Sequence, residues 1–377
     1  MRILIAPNAF KNSLDATAAA EAIREGLQQS KLKCTCECFP VGDGGDGTAT
    51  LLIQKCGGTI VPVEVHDPLG RKIRAAFGLI DHGNTAIIEM ADASGLRLLR
   101  REEFDPSRTN TFGTGELIKC ALDKGISKII IGIGGSATVD GGTGVLQALG
   151  VRFLSAGGKP LSNLPEDLAD LESIDLSGLD RRILHCALTV LCDVENSLLG
   201  EKGAATVFGP QKGATGPVIK KLEAALTRLR DVVFRQTGMD LAAIKHGGAA
   251  GGVAAGLQGL LNATLVNGID YFLNVTGFDD ALQKADLVIT GEGSVDEQTM
   301  RGKGPFGVAL RAKGKNIPVI GLAGRVALEA DAPLRQYFVQ LLAIGHESVE
   351  LDKAVQNTTP DLWRTAKELG NRLAVKG

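Results

Sequence analysis

The sequence predicts an α/β protein of two domains. One is a doubly wound parallel sheet built from both ends of the chain; the other is an α/β domain inserted between them. Three observations carry this. Short apolar runs alternate with helix-patterned segments along the whole chain, the rhythm of parallel strands joined by helices. Glycine-rich turns fall directly after several of those runs, where strands hand over to helices. The length, 377 residues, exceeds what one core ordinarily organises.

Residues 2–6 (RILIA) read as a strand. Over 14–29, Ala19, Ala22, Ile23, Gly26 and Leu27 recur at helical spacing, with Ser13 as N-cap. A strand follows at 34–41 and a helix at 48–56, closed by Gly57-Gly58. The same rhythm returns near the end: strand 286–290, loop GEGSVDEQT, helix 305–313, strands 317–324 and 338–345, helix 360–374. The middle has strands at 86–91, 128–134 and 187–193, and a helix at 114–124 closed by Gly125. Its long helix, 217–237, opens on Pro217, carries a stripe of Val218, Leu222, Ala225, Leu229, Val232 and Val233, and ends at Gly238. Placing the boundaries near 66 and 281 assigns residues 1–65 and 281–377 to the first domain and 66–280 to the inserted one.

Composition narrows the function. With 41 basic and 43 acidic residues the net charge is −2, which offers no nucleic-acid footprint. No apolar run reaches the roughly 20 residues that cross a bilayer, and the N-terminus reads as a strand, not a signal peptide. Seven scattered cysteines fit reduced thiols in a cytoplasm better than a disulfide framework. Cys34, Cys36 and Cys38 alternate and share a strand face, which reads as packing. The five histidines show no metal-ligand spacing and no nucleophile partner.

The 49 glycines concentrate the chemistry. Gly42-Asp43-Gly44-Gly45-Asp46-Gly47-Thr48 leaves a strand and opens a helix; its amides suit an anion, and Asp43 and Asp46 suit Mg²⁺ or a hydroxyl proton. Gly132 to Gly144 does the same, with Gly134, Gly135, Ser136 and Thr138 as a phosphate nest. Its G-x-G-x-x-A spacing also admits a dinucleotide and hence an NAD(P)-dependent dehydrogenase, but residues 152–156 (RFLSA) lack the ribose-binding acid that fold requires. The P-loop pattern is broken by Gly304 after Gly302-Lys303. Glu292 and Asp296 lie in the loop after 286–290, Asp296 as a metal or hydroxyl ligand, and Lys303 is a candidate point charge for a phosphate. Asp193 ends a strand as a candidate base or metal ligand. Lys11 precedes a helix N-terminus, where it suits a carboxylate or phosphate. Gly247 to Gly252 fits either an anion cradle or close packing, and the turn around Lys212 carries no signal by itself.

These segments together resemble the bacterial type 1 glycerate kinase family, through PNAFKNSL, GDGGDGT, DPLGR, IEMADASGL, GTGELI, IGIGGSATVDGG, CDVENSL, FGPQKGA, GGAAGG, LVITGEGSVDEQ and GKGPFGVA, spread over residues 2–345. The resemblance implies a two-domain α/β enzyme, one domain Rossmann-like, that phosphorylates D-glycerate with ATP and Mg²⁺. Its product would be 2-phosphoglycerate, with 3-phosphoglycerate as the alternative. Asn8 stands where the family often has Asp, Val139 where it has Asn, Ser197 where it has Pro, and Ser294-Val295 where it has Arg-Ile. The expected chemistry places ATP phosphates on Gly134–Thr138, with Glu292 and Lys303 also toward the nucleotide. Mg²⁺ bridges to Asp193 or Asp296, Lys11 and Ser13 hold the glycerate carboxylate in a cleft between domains, and Asp43 or Asp46 takes the hydroxyl proton. Oligomeric state is left open.

Overall fold

The computed structural model describes residues 1–11, 13–296, 299–300, 302–329, 332–345 and 351–376, with only the backbone for 351–353 and 376. The chain runs β1 (Arg2–Ile5), α1 (Ala16–Gln28), β2 (Thr35–Cys38), α2 (Thr48–Lys55), β3 (Thr59–His66), β4 (Lys72–Ile80), β5 (Thr85–Glu89), α3 (Ala91–Ser94) and α4 (Phe112–Leu122). It continues with β6 (Lys128–Gly132), α5 (Thr143–Ala148), β7 (Arg152–Ser155), β8 (Leu171–Asp175), β9 (Ala187–Cys192), α6 (Ala204–Phe208), α7 (Gly216–Thr237) and α8 (Ala249–Leu261). The last part holds β10 (Thr264–Asn267), α9 (Gly268–Val275), α10 (Phe278–Leu282), β11 (Leu287–Val295), α11 (Gly304–Gly314), β12 (Val319–Val326), β13 (Gln340–Ala343), α12 (Leu351–Gln356) and α13 (Thr358–Lys376).

Two compact units result: Met1–Asp43 with Asn267–Gly377, and Gly44–Val266. Both boundaries fall earlier than the pattern of the sequence suggested. Residues 44–65 go with the middle because β3 pairs antiparallel with β4 along its whole length, from Thr59↔Leu79 to His66↔Lys72. Residues 267–280 go with the chain ends: Phe278 of α10 packs edge-on against Phe39, ring centroids 5.3 Å apart.

The first unit is a five-stranded sheet in the order β13-β12-β11-β1-β2, parallel throughout. Read from β2, this is the 2-1-3-4-5 doubly wound order, whose winding reverses between its first and third strands, here β1 and β11. Ile3, Ile5, Leu287, Ile289, Ile320 and Leu322 face one side, where Ala19, Ile23 and Leu27 of α1 and Leu362, Ala366 and Leu369 of α13 complete a core. Gly26 is required there, since a Cβ would lie 2.3 Å from the Trp363 carbonyl oxygen. Two local expectations are corrected. Asp15, not Ser13, caps α1, accepting from the Ala18 amide at 2.8 Å. Gly291–Val295, expected as loop, extends β11, because β12 runs alongside it as far as Val295↔Val326.

The second unit centres on a mixed sheet, β10-β9-β6-β5-β4-β3. Strands β5, β6 and β9 are parallel, so their carboxyl ends share one edge. Helix α7 keeps its expected bounds: Pro217 in its first turn, Gly238 with φ 74° at its end, and Leu222, Ala225, Leu229, Val232 and Val233 buried. Strand β7 pairs antiparallel with β8 in a separate ribbon. It therefore cannot be the second parallel strand of a dinucleotide-binding unit after Gly132–Ala137, and the dehydrogenase alternative loses its structural basis. No helix among the described residues is long and apolar enough to cross a membrane.

Candidate active site

In the first unit, the carboxyl ends of β1, β2 and β11 gather the polar residues at the winding reversal, where doubly wound sheets bind ligands. Asp43 follows β2 and is 8% exposed. Its Oδ2 accepts from Asn8 Nδ2 at 2.7 Å and from the Gly304 amide at 3.3 Å. The second contact sets the carboxylate against the N-terminus of α11, whose dipole favours a negative charge. A side chain on Gly304 would collide with Asn8, its Cβ 2.9 Å from the Asn8 amide nitrogen.

Glu292, near the end of β11, is 7% exposed and accepts from Thr299 Oγ1 at 2.9 Å. Burial pushes its carboxyl up to about 7, Asp43 and Asp296 add to this, and Lys303 and the Thr299 hydroxyl oppose it. Lys303 occupies the N-cap position of α11, with Nζ 3.9 Å from Asp296 Oδ1. Glu292, Asp296, Lys303 and Asp43 are thus brought together, in a different compact unit from Gly134–Thr138. Lys11 is exposed beyond Phe10. Ser13, expected beside it as a carboxylate donor, gives its hydroxyl proton to the Val355 carbonyl at 2.6 Å instead.

In the second unit, three glycine-rich segments interlock. The Gly134 amide donates to the Gly44 carbonyl at 3.0 Å. A Cβ on Gly134 would come within 2.4 Å of Gly45 Cα, and one on Gly251 within 2.1 Å of the Thr138 carbonyl oxygen. Ala250, Gly251 and Gly252 all adopt positive φ to make that approach. Close packing is therefore what Gly247–Gly252 does, and part of what Gly134 does. Gly135, with φ 70°, exposes its Cα to Asp46: an added Cβ would sit 2.8 Å from Asp46 Oδ1. Ser136 is 8% exposed and Thr138 fully buried. Thr138 Oγ1 has no hydrogen-bond partner among the described residues, although a buried hydroxyl ordinarily finds one. Asp193 follows β9 at the same sheet edge, since Gly132 and Leu191 stand in register.

The sequence reasoning passed over two residues. Glu89, at the end of β5, accepts the Gly47 amide at 2.6 Å and the Ala49 amide at 3.2 Å. It thereby caps α2, whose N-cap Gly47 has no side chain to do so. Burial raises its carboxyl to about 7 against the Gly47 hydrogen bond, with Asp92 and Asp46 adding and Arg97 opposing. A carboxylate ending an otherwise apolar strand was the available signal. Lys212 is the second: only 2% exposed, it donates from Nζ to Ser136 Oγ at 2.7 Å and to the Thr138 carbonyl at 2.6 Å. Nothing in one lysine of a glycine-flanked turn announces that. Asp140 is fully buried and serves the frame, accepting from Thr111, Gly142 and Gly144.

The glycerate kinase family profile matches residues 3–374. The chain is 44% identical to the glycerate kinase of Bacillus subtilis (strain 168) over 369 residues, covering 98% of this chain and 97% of that protein. It is 40% identical to the glycerate 2-kinase of Escherichia coli (strain K12) over 379 residues, covering 100% and 98%. A solved structure assigned as glycerate kinase 2 of Salmonella typhimurium LT2 superposes with TM-score 0.81 at 42% identity, covering 100% of this chain and 99% of that one. Agreement in sequence and in fold along the whole length places the chain in the glycerate kinase family, and so among the kinases.

Proposed function

We propose that the protein transfers the γ-phosphoryl group of ATP to the 2-hydroxyl of D-glycerate, forming 2-phosphoglycerate. The 40% identity to a glycerate 2-kinase supports the regiochemistry. The observation that carries the chemistry is Asp43: a carboxylate held by Asn8 and the α11 N-terminus at the reversal of a doubly wound sheet. Phosphoryl transfer asks mainly for positioning, charge neutralisation and a group that accepts the hydroxyl proton. Asp43 takes that proton. Lys11, an exposed cation after β1, attracts the glycerate carboxylate. Glu292 and Lys303 belong to the end of β11 and the start of α11, and the lysine serves as a point charge for a phosphate. The loop of Gly134, Gly135, Ser136 and Thr138 holds ATP phosphates, with the Ser136 hydroxyl as one donor.

Asp46 has a different place from Asp43. Its carboxylate lies against Gly135, where an anion beside a polyphosphate requires a cation between them. Among the described residues no group of three or more His, Cys, Asp or Glu could hold a metal by itself. Mg²⁺ is commonly held by one or two carboxylates with phosphate oxygens and water, and Asp46, Asp193 and Asp296 are single carboxylates of that kind. Bound there, Mg²⁺ supplies neutralisation of phosphate charge. All seven cysteines are described and none is in a disulfide, which supports a cytoplasmic setting.

The test is ³¹P NMR of the product from ATP, Mg²⁺ and D-glycerate. A phosphomonoester split by one proton is the expected 2-phosphate. Splitting by two protons identifies the 3-phosphate and overturns the regiochemistry, and untouched ATP overturns the substrate.

A further inference from the structure

We propose that Lys212 is a positioning residue for nucleotide binding: its buried ammonium staples the Gly134–Thr138 loop and sets the Ser136 hydroxyl to donate toward ATP phosphate. The inference rests on the reading of that loop as the phosphate site.

A lysine 2% exposed is costly unless its charge is well partnered. Lys212 reaches Ser136 Oγ at 2.7 Å and the Thr138 carbonyl at 2.6 Å. Those two acceptors lie two residues apart, so one ammonium closes the loop across its width. The lysine itself is anchored. It ends the short turn Pro210–Lys212, closed by Gly213 at φ 94°, and its amide donates to the Gly209 carbonyl at 3.0 Å. From elsewhere in the unit, Gly251 presses on the same Thr138 carbonyl so closely that a Cβ would come within 2.1 Å. Lys212 and Gly251 therefore clamp one peptide, and the carbonyl cannot turn toward a phosphate.

The chemical consequence falls on Ser136. Its oxygen accepts a charge-assisted hydrogen bond from Lys212, so its own O–H is polarised and directed away from the ammonium. A carboxylate or neutral side chain in place of Lys212 would leave that hydroxyl without this bias. A hydroxyl backed by a buried positive charge suits an anion, such as the polyphosphate of a nucleotide, and has no use for a neutral ligand.

The test compares wild type with Lys212→Gln, which removes the charge and shortens the side chain by one bond while keeping an N–H donor. ADP affinity with Mg²⁺ is measured by titration calorimetry, and KM for D-glycerate and melting temperature are measured alongside. The expected result is ADP binding weaker by about tenfold or more, the scale of one charged hydrogen bond, with KM for glycerate and melting temperature little changed. Unchanged ADP affinity overturns the role of Lys212 and leaves the kinase reading intact. A rise in glycerate KM with ADP unaffected overturns the placement of ATP on this loop, and the inference with it. A uniform loss of both affinities together with a lower melting temperature shows a purely structural lysine. Should Lys212→Gln fail to fold, Ser136→Ala removes the relay while keeping the charge: weaker ADP binding supports the inference, and affinity within about twofold of wild type refutes it.

Discussion

Replacing Glu292 by glutamine removes one ionisable group from the buried end of β11 while keeping its shape and its acceptor for the Thr299 hydroxyl. The carboxyl is 7% exposed and titrates near 7 in the fold, against 4.5 for the ordinary group, chiefly because burial disfavours its charge. Well below pH 4.5 the side chain is protonated both folded and unfolded, and the displacement costs nothing. As pH rises the unfolded chain ionises first, so the folded state loses stability between 4.5 and 7, and the loss is complete above 7. At 1.36 kcal/mol per pH unit the full loss is about 3 kcal/mol. The expected outcome of Glu292→Gln is thus a variant as stable as wild type at pH 4.5 and more stable at pH 8.5. Denaturant unfolding at the two pH values reads the difference directly. A gap of the same size at both, or a variant less stable at pH 8.5, would refute the claim that burial of charge dominates at this position.

Three further outcomes follow from the geometry. Asp43→Asn keeps the shape of the side chain but cannot accept the substrate proton, and kcat falls by about 10² or more, the general-base scale; a near-normal rate in steady-state assays removes Asp43 from that role. Asn8→Asp puts a second carboxylate where an amide now donates at 2.7 Å. Two carboxylates so close share a proton, so the acid limb of kcat/KM moves to higher pH, and an unmoved limb in the pH profile contradicts it. Gly134→Ala forces a Cβ to within 2.4 Å of Gly45 Cα. Backbone cannot yield as a side-chain tip does, so stability drops by about 1–3 kcal/mol or more, and thermal unfolding that matches wild type would mean the two loops are not locked together.

Much of this architecture was legible in local pattern. Pro217, the Leu222–Leu229 stripe and Gly238 determine α7 almost to the residue, because a helix obtains its hydrogen bonds from its own neighbours and needs only an apolar face and a stop. The buried runs of β1, β6 and β9 were equally plain, and so was the placing of glycine turns after strands. The β3–β4 hairpin was not. Its residues are mostly exposed or half-buried, so the pairing that moved the boundary to Asp43 depends on a partner strand that local pattern does not identify. The length of β11 likewise depended on β12 lying beside Gly291–Val295.

For the site, the sequence by itself offered the candidates: Asp43, Asp46, Asp193, Glu292, Asp296, the Gly134–Thr138 loop and the two lysines, Lys11 and Lys303. Motif chemistry depends on residue type at a turn, and turns are written locally. Only the tertiary structure decided how those groups are divided and held. It set Asp43 under Asn8 and Gly304, Asp46 over Gly135, Glu89 under the loop that follows Asp43, and Lys212 beneath Ser136. It also withdrew Ser13 to Val355. Each of these contacts joins residues tens to hundreds of positions apart. The energy of a buried charge or hydrogen bond depends on what surrounds it in space, and neighbours in the chain do not specify those surroundings.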